Sequence, residues 1–451
     1  YAVKNSEGAA LMPSYIIRSM RKMFSHCLKL SYKDTAQQNS YVTIPRAANS
    51  FDNTEIAANV DEDIIDSLTG GRLVGSVTSF ENFAECPLRY YLRYGVDLKE
   101  REEFTFSPVN FGVVLHAVIR EVCDEIKKNG ESYYLISEEK RREMVKRSVA
   151  AITDIYQNSI LKDSSRNSFM IKRMEDLADR TVWAMGEQLK CGDFVPFVFE
   201  HKFNMEVGDG DRKQLMSGTI DRVDICENGT DVYVRIIDYK TGKKDFNIVK
   251  TYYGIDIQLM VYMEAAMKLV AKMRPGKNVI PAGVFYYNIS DPIVSATTES
   301  AEEIEDKIKG ELRLKGMVNS DKDIAEKMDN TEGTSLNIPV SRKADGGFDS
   351  RRSKVMNTEQ FNILGRFVDV RAIDTADRIA GGDIRRSPYK DGQFSSCDRC
   401  PYGAVCGFSV DLPGCNYRKL KKFDDEVLWN NIKEGVDENG KKMDTGAEER
   451  D

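Results

Sequence analysis

No stretch of this sequence approaches the roughly 20 consecutive apolar residues of a helical membrane span, and nothing near its start is charged and then apolar like a signal peptide. A cytoplasmic protein with no membrane partner is the expectation. No GxxxxGK followed by Ser or Thr occurs either: in YKTGKKDF, Ile237 stands where the upstream glycine would be, so no ATP motor is encoded here. Histidine is scarce, with three in 451 residues, and no fixed-period repeat is present. Positive charge is in deficit too: the net charge of -7 argues, on average, against a nucleic-acid partner. The average hides the distribution. Acidic residues gather in TTESAEEIEDKIKGE and DENGKKMDTGAEERD, whereas Arg235, Lys240, Lys243, Lys244 and Lys250 crowd one short stretch, so a local basic groove is compatible with the whole. The chain begins with Tyr1 and not Met, which suggests a piece of something longer.

What is present has the 41% hydrophobic content of a globular protein and more length than one small domain needs. Residues 1–75 hold one helical stretch, SYIIRSMRKMFSHCLKL, and then a polar segment without period, which reads as a linker. From Ser76 the pattern tightens: Thr78 or Ser79 is a candidate cap for FENFAEC, Pro87 restarts a helix, and Gly95 ends it. Phe111, Leu115, Val118, Ile119, Val122 and Ile126 form one stripe of a helix over 108–128, and helical sequence continues through 137–190. Strands are predicted at 196–206, 213–226 and 231–240, the last two joined as a hairpin through ENGTD. A helix over 255–272, the strand AGVFYYNI and a helix over 357–381 complete a mixed sheet flanked by helices. The polar stretch 318–350 reads as an inserted hairpin or loop, and the charged tail after about 418 as poorly ordered.

The densest chemistry lies in GTIDRVDI and VRIIDYKTG. In a strand, Asp238 and Lys240 project to the same side as Val234 and Ile236, so an apolar face becomes charged near its end. Asp221 and Asp238 offer hard oxygen ligands suited to Mg2+ or Mn2+, and Lys240 can position water or stabilise charge on a phosphate. His116 stands one helical turn after Gly112, whose missing side chain leaves room beside the imidazole for a metal or a strand. Gln258 and Tyr262, also one turn apart, can orient the lysine without adding charge. A surface ion pair at a strand end is the bland account of Asp238 and Lys240 taken alone.

Nine cysteines in a cytosolic chain do not read as a disulfide framework. Cys27, Cys123, Cys191, Cys226 and Cys415 are scattered and read as free thiols. Cys397, Cys400 and Cys406 form CDRCPYGAVC, and Cys86, 311 residues before the first of them, is a candidate fourth ligand. Four thiolates suit either tetrahedral zinc or an iron-sulfur cluster, and either would tie the first helix of the domain to its last segment.

In their order, ECPLRYYL, FGVVLH, GTIDRVD, IIDYKTG, QLMVY, AGVFYYNISDP and CDRCPYGAVC resemble the RecB-type branch of the PD-(D/E)XK nucleases, and more closely the nuclease domain of AddB-type subunits of bacterial helicase/deoxyribonucleases. The resemblance implies an α/β restriction-endonuclease-like fold over 76–410, closed by a four-cysteine cluster, between the 1–75 linker and a charged 411–451 tail. It further implies a 4Fe-4S cluster on Cys86, Cys397, Cys400 and Cys406, a metal site of His116, Asp221 and Asp238, catalysis by Lys240, and support from Gln258 and Tyr262. Glu200, in VFEHKF, falls where some relatives carry another acidic residue. The implied activity is a 5′ to 3′ DNA exonuclease, paired with an AddA-type helicase-nuclease partner in a heterodimer that processes double-strand breaks for recombination. Two other readings share these features: a standalone CRISPR-associated RecB-like nuclease, and a catalytically silent DNA-holding module. The AGVFYYN and CDRCPYG blocks and the extra length favour the helicase/deoxyribonuclease reading over the CRISPR-associated one.

Overall fold

The computed structural model describes residues 60–61, 74–99, 108–155, 165–207, 214–295, 300–412 and 415–437; the helix expected within 1–75, Cys27 and the acidic end of the tail lie outside them. Strand β1 (Val74–Ser76) leads directly into helix α1 (Val77–Glu85). Its cap is Ser76, in extended backbone, whose hydroxyl accepts the Ser79 amide at 3.1 Å. Thr78 and Ser79 are therefore already helical and not the expected cap; the Ser79 hydroxyl instead bonds back to the Ser76 carbonyl. Pro87 opens the short α2 (Pro87–Tyr90), where its missing N–H costs nothing, and a π-turn ends at Gly95.

The predicted stripe along α3 (Pro108–Lys128) is buried throughout. The long helical region that follows is two helices, α4 (Glu138–Ile155) and α5 (Ser165–Lys190). Strands β2 (Val195–Val207), β3 (Gln214–Asn228) and β4 (Asp231–Lys240) then run antiparallel, with Gly229 at φ +61° in the tight turn between the paired Asn228 and Asp231. Helices α6 (Ile248–Tyr252) and α7 (Gln258–Met273) carry the chain to β5 (Asn278–Asn288), which is parallel to β4. Helix α8 (Ala301–Glu311), strand β6 (Lys315–Asn319), helix α9 (Lys322–Met328), strand β7 (Val355–Met356) and helix α10 (Thr358–Ala380) follow. A three-stranded sheet of β8 (Tyr389–Asp391), β9 (Phe394–Ser395) and β10 (Arg418–Lys419) encloses helix α11 (Gly403–Cys406) in sequence, and α12 (Asp425–Asp437) ends the described chain.

The seven-stranded sheet is mixed, running β1-β3-β4-β5-β6-β7 with β2 on the other edge of β3. Helices cover both of its faces, so β4, though its residues alternate, is buried on both. Val232, Val234 and Ile236 pack into a core with α1, α7, α10 and α12, while Tyr233, Ile237 and Tyr239 enter a second core with α3, α4, α5 and α9. Beneath the sheet, Asp224 receives both Arg222 and Arg235 in a wholly buried ion triad. Arg235 therefore contributes nothing to a basic groove, contrary to its place in the charge count.

The polar stretch 318–350 is folded around buried Asp329, which accepts the Ser335 hydroxyl at 2.7 Å, the Asn337 amide at 3.2 Å and the Thr331 backbone amide at 2.8 Å. The Arg342 guanidinium closes the loop onto the last carbonyls of α9, those of Ala325 and Asp329. The expectation of a poorly ordered tail fails over α12, which buries Leu428 and Ile432 in the α7 and α10 core: its charges face outward while its apolar stripe packs. No helix among the described residues is long and apolar enough to cross a membrane.

Candidate active site

The regular pairing of β3 with β4 reaches Arg222 and Ile237, and one step further Asp221 and Asp238 face each other where the two strands part. The ladder bond lost there is replaced by a side chain: Asp221 Oδ2 accepts the Tyr239 backbone amide at 2.6 Å. Its other oxygen lies 3.5 Å from Nδ1 of His116, which arrives on α3 from one face of the sheet. Glu200 comes from the opposite edge of β3, between Phe199, paired with Arg222, and His201, paired with Ile220. Its backbone is left-handed at φ +48°, a conformation unfavourable for a residue with a Cβ, and Glu200 Oε1 stands 3.8 Å from His116 Nδ1. The donor atoms of His116, Glu200 and Asp221 all lie within 4.8 Å of one another.

Two carboxylates and one imidazole, partly open to solvent, form a donor set suited to a divalent cation with vacancies for water. Without a cation, burial works against a charged His116, yet hydrogen bonds to Asp221 and Glu200 outweigh it and push the imidazole up to about 10. The room beside His116 is taken by the end of a strand: a Cβ on Gly112 would sit 3.5 Å from the Thr241 methyl, just past β4. His116 also meets the Tyr239 ring edge-on, with centroids 6.0 Å apart.

Asp238 stands beside this set and not within it. It continues the face of Ile236 toward α7, is 2% exposed, and is lifted to about 7 by burial and then by the charge of Asp221. Its Oδ2 lies 2.5 Å from Lys240 Nζ, a close ion pair that draws the ammonium against the buried carboxylate. Lys240 Nζ donates to Gln258 Oε1 at 2.9 Å, and Gln258 Nε2 donates to the Tyr262 hydroxyl at 2.8 Å, so the pair on α7 holds the ammonium in place. The lysine side chain remains 26% exposed, within reach of a substrate.

Sequence reasoning passed over the polar layer behind Lys240. Lys244 pairs with Asp256 at 3.0 Å, Asp256 accepts the Tyr286 hydroxyl at 2.6 Å, and both lysines lie over the Tyr286 ring. Glu81, on α1, accepts the backbone amides of Ile257 and Gln258. The signal available for Glu81 was a carboxylate one turn after buried Val77, on a helix with little other charge.

Cys86 closes α1, and its thiol lines one cavity with those of Cys397, Cys400 and Cys406. Leu88, Leu92, Pro388 and Phe408 make the walls apolar; burial raises the Cys86 thiol, while the backbone amides of Arg89 and Ser387 beside it act the other way. Such donors stabilise thiolates, so the residues fit a four-thiolate metal group. As bare thiols Cys86 and Cys406 are raised by burial, and burial, then the neighbouring sulfurs, push Cys397 up to about 11.

Comparison with known proteins follows the same boundaries. The family model described as the PD-(D/E)XK nuclease superfamily matches residues 75–407. The chain is 31% identical over 509 aligned residues to the B-type subunit of the ATP-dependent helicase/deoxyribonuclease of Caldanaerobacter subterraneus, covering 100% of this chain and 43% of that protein. The proteins of the same name from Lachnoclostridium phytofermentans and Clostridium acetobutylicum are each 34% identical, over 86% and 83% of this chain and 34% and 33% of their own lengths. The chain thus spans less than half the length of these relatives.

Proposed function

The chain belongs to the PD-(D/E)XK nuclease superfamily, and from that premise we propose that it hydrolyses DNA phosphodiester bonds with Mg2+ or Mn2+ held by His116, Glu200 and Asp221, with Asp238 beside them. The observation that carries this is the meeting of those three donors next to buried Asp238 and its half-buried partner Lys240, at the point where β3 and β4 part. A bound divalent ion supplies an acidified water and a Lewis acid for the scissile phosphate. The protein's own groups do the rest. Asp221 is held by the Tyr239 amide and cannot swing away. Gln258 and Tyr262 fix Lys240, whose ammonium orients the attacking water and neutralises charge that builds on the phosphate as the P–O bond to the leaving group breaks. We assign the thiols of Cys86, Cys397, Cys400 and Cys406 to a 4Fe-4S cluster that fastens α1 to the end of the domain.

The names of the relatives, each one component of an ATP-dependent helicase/deoxyribonuclease, support a place in a DNA-repair complex with an AddA-type helicase partner. In that complex this domain trims the strand whose 5′ end lies at a double-strand break, in the cytoplasm. Lys240→Ala tests the assignment: cleavage of linear DNA by the full-length protein should fall at least about 100-fold while DNA binding persists. Unchanged cleavage by that variant would place the chemistry elsewhere.

A further inference from the structure

The first amides of a helix have no partner within it, and the residue before the first turn of α7 is Ile257, whose side chain cannot cap. The acceptor comes from far away in sequence. Glu81 Oε1 takes the Ile257 amide at 2.9 Å and the Gln258 amide at 3.0 Å, across separations of 176 and 177 residues. An acidic group is also the favoured partner at the positive end of a helix dipole. Gln258 is the residue whose side chain receives Lys240 Nζ. Glu81 lies on α1, and the residue closing α1 is Cys86, in the thiol cavity.

We infer that Glu81 is a positioning residue: by fastening the first turn of α7 it sets Gln258, and through it the Lys240 ammonium, relative to the helix that ends on the four-thiol cluster. The inference rests on the nuclease assignment above. Burial raises the Glu81 carboxyl to about 7, against the pull of Lys244, and in either protonation state an oxygen remains to accept both amides. A glutamine keeps that oxygen, and an alanine removes it.

The test is steady-state cleavage of linear double-stranded DNA with Mg2+ by the full-length protein in its native complex, comparing wild type with Glu81→Ala, Glu81→Gln, Gln258→Ala and the Glu81→Ala/Gln258→Ala double variant. Glu81→Ala should lower kcat at least about tenfold with KM for DNA changed less than about twofold, because a misplaced lysine affects the reacting step and not substrate capture. Glu81→Gln should restore most of the rate. In the Gln258→Ala background the alanine at position 81 should cost less than about twofold, since both changes act through one lysine. Iron content per chain and thermal melting report whether each variant keeps its fold. Should Glu81→Ala fail to fold, Glu81→Asp replaces it: the shorter side chain keeps the charge but not the reach, so its kcat must fall while that of Glu81→Gln does not.

An unchanged kcat in Glu81→Ala, effects that multiply independently with Gln258→Ala, or a Glu81→Gln variant as slow as the alanine would each overturn the inference. Lys240→Ala in the same assay separates the two levels. If it cleaves like wild type, the nuclease site itself is misassigned; if it is inactive while Glu81→Ala is not, only the role of Glu81 falls.

Discussion

Asp221 gives its two oxygens to partners on different elements: Oδ2 accepts the Tyr239 amide at 2.6 Å, and Oδ1 faces His116 Nδ1 at 3.5 Å. The first contact fixes the carboxylate before any ligand arrives, and the second leaves one oxygen pointing at the cluster of donors. A strand end that would otherwise fray is thus converted into a rigid arm of the site.

That geometry makes Asp221→Asn a selective lesion. Its carbonyl oxygen can still accept the Tyr239 amide, so stability should stay within about 1 kcal/mol of wild type. Its amide nitrogen then meets His116 where an anionic oxygen should be. Mn2+ affinity, followed by titration calorimetry, should drop at least about tenfold. Equal affinity in the variant would mean that the ion sits somewhere other than beside Asp221.

Asp224 has a different task, although it lies only three residues further along β3. It accepts Arg222 Nη2 at 2.6 Å and Arg235 Nε at 2.8 Å, with all three residues at most 1% exposed. Removing the carboxylate leaves two buried guanidinium groups without compensation. Asp224→Ala should cost about 3–5 kcal/mol in denaturant unfolding. A loss under ~1 kcal/mol would show that water reaches the arginines freely.

Stability should also depend on pH, between about pH 4 and 8, through Asp369 on α10. Burial, and then a hydrogen bond and like charge from Glu264 on α7, raise its carboxyl to about 8, far above the ordinary range. A group whose pKa is raised by folding holds its proton more tightly in the native state. Its contribution is fully present below about pH 4 and is lost as pH rises through about 8. Asp369→Asn should remove that loss and gain on the order of 1 kcal/mol at pH 9. Melting curves of the two proteins from pH 6 to pH 9, buffered at equal ionic strength, should therefore diverge with rising pH; parallel curves would contradict the shared-proton arrangement.

The sequence disclosed what is periodic or contiguous. The α3 stripe, the β3–β4 hairpin and the Asp238–Lys240 spacing are local patterns with a fixed physical period, and Gln258, itself bonded to Tyr262, accepts the Lys240 ammonium. What stayed hidden depends on contacts between distant segments. Glu81 has no local feature that reveals a helix end 176 residues away. Arg235 counted as surface charge until Asp224 was seen beneath it, and the loop around Asp329 is held by side-chain bonds that carry no period at all. The α12 stripe was masked by the charges interleaved with it, a case where overall polarity obscured a 3.6-residue pattern.

Cys397→Ser addresses the thiol cavity directly. A hydroxyl is a poor substitute for a thiolate, and the group it would help to hold joins Cys86 at the end of α1 to a segment 311 residues later. Closing so long a loop restricts the unfolded chain, so losing one ligand should lower the melting temperature by several degrees and not merely slow the reaction. The wild-type protein, purified without air, should be brown and contain iron and sulfide; a colourless protein with stoichiometric zinc would replace the cluster by a tetrahedral zinc site while leaving its tying role intact. Full thermal stability and full DNA binding in Cys397→Ser would show that the four sulfurs, though gathered around one cavity, do not hold the domain together.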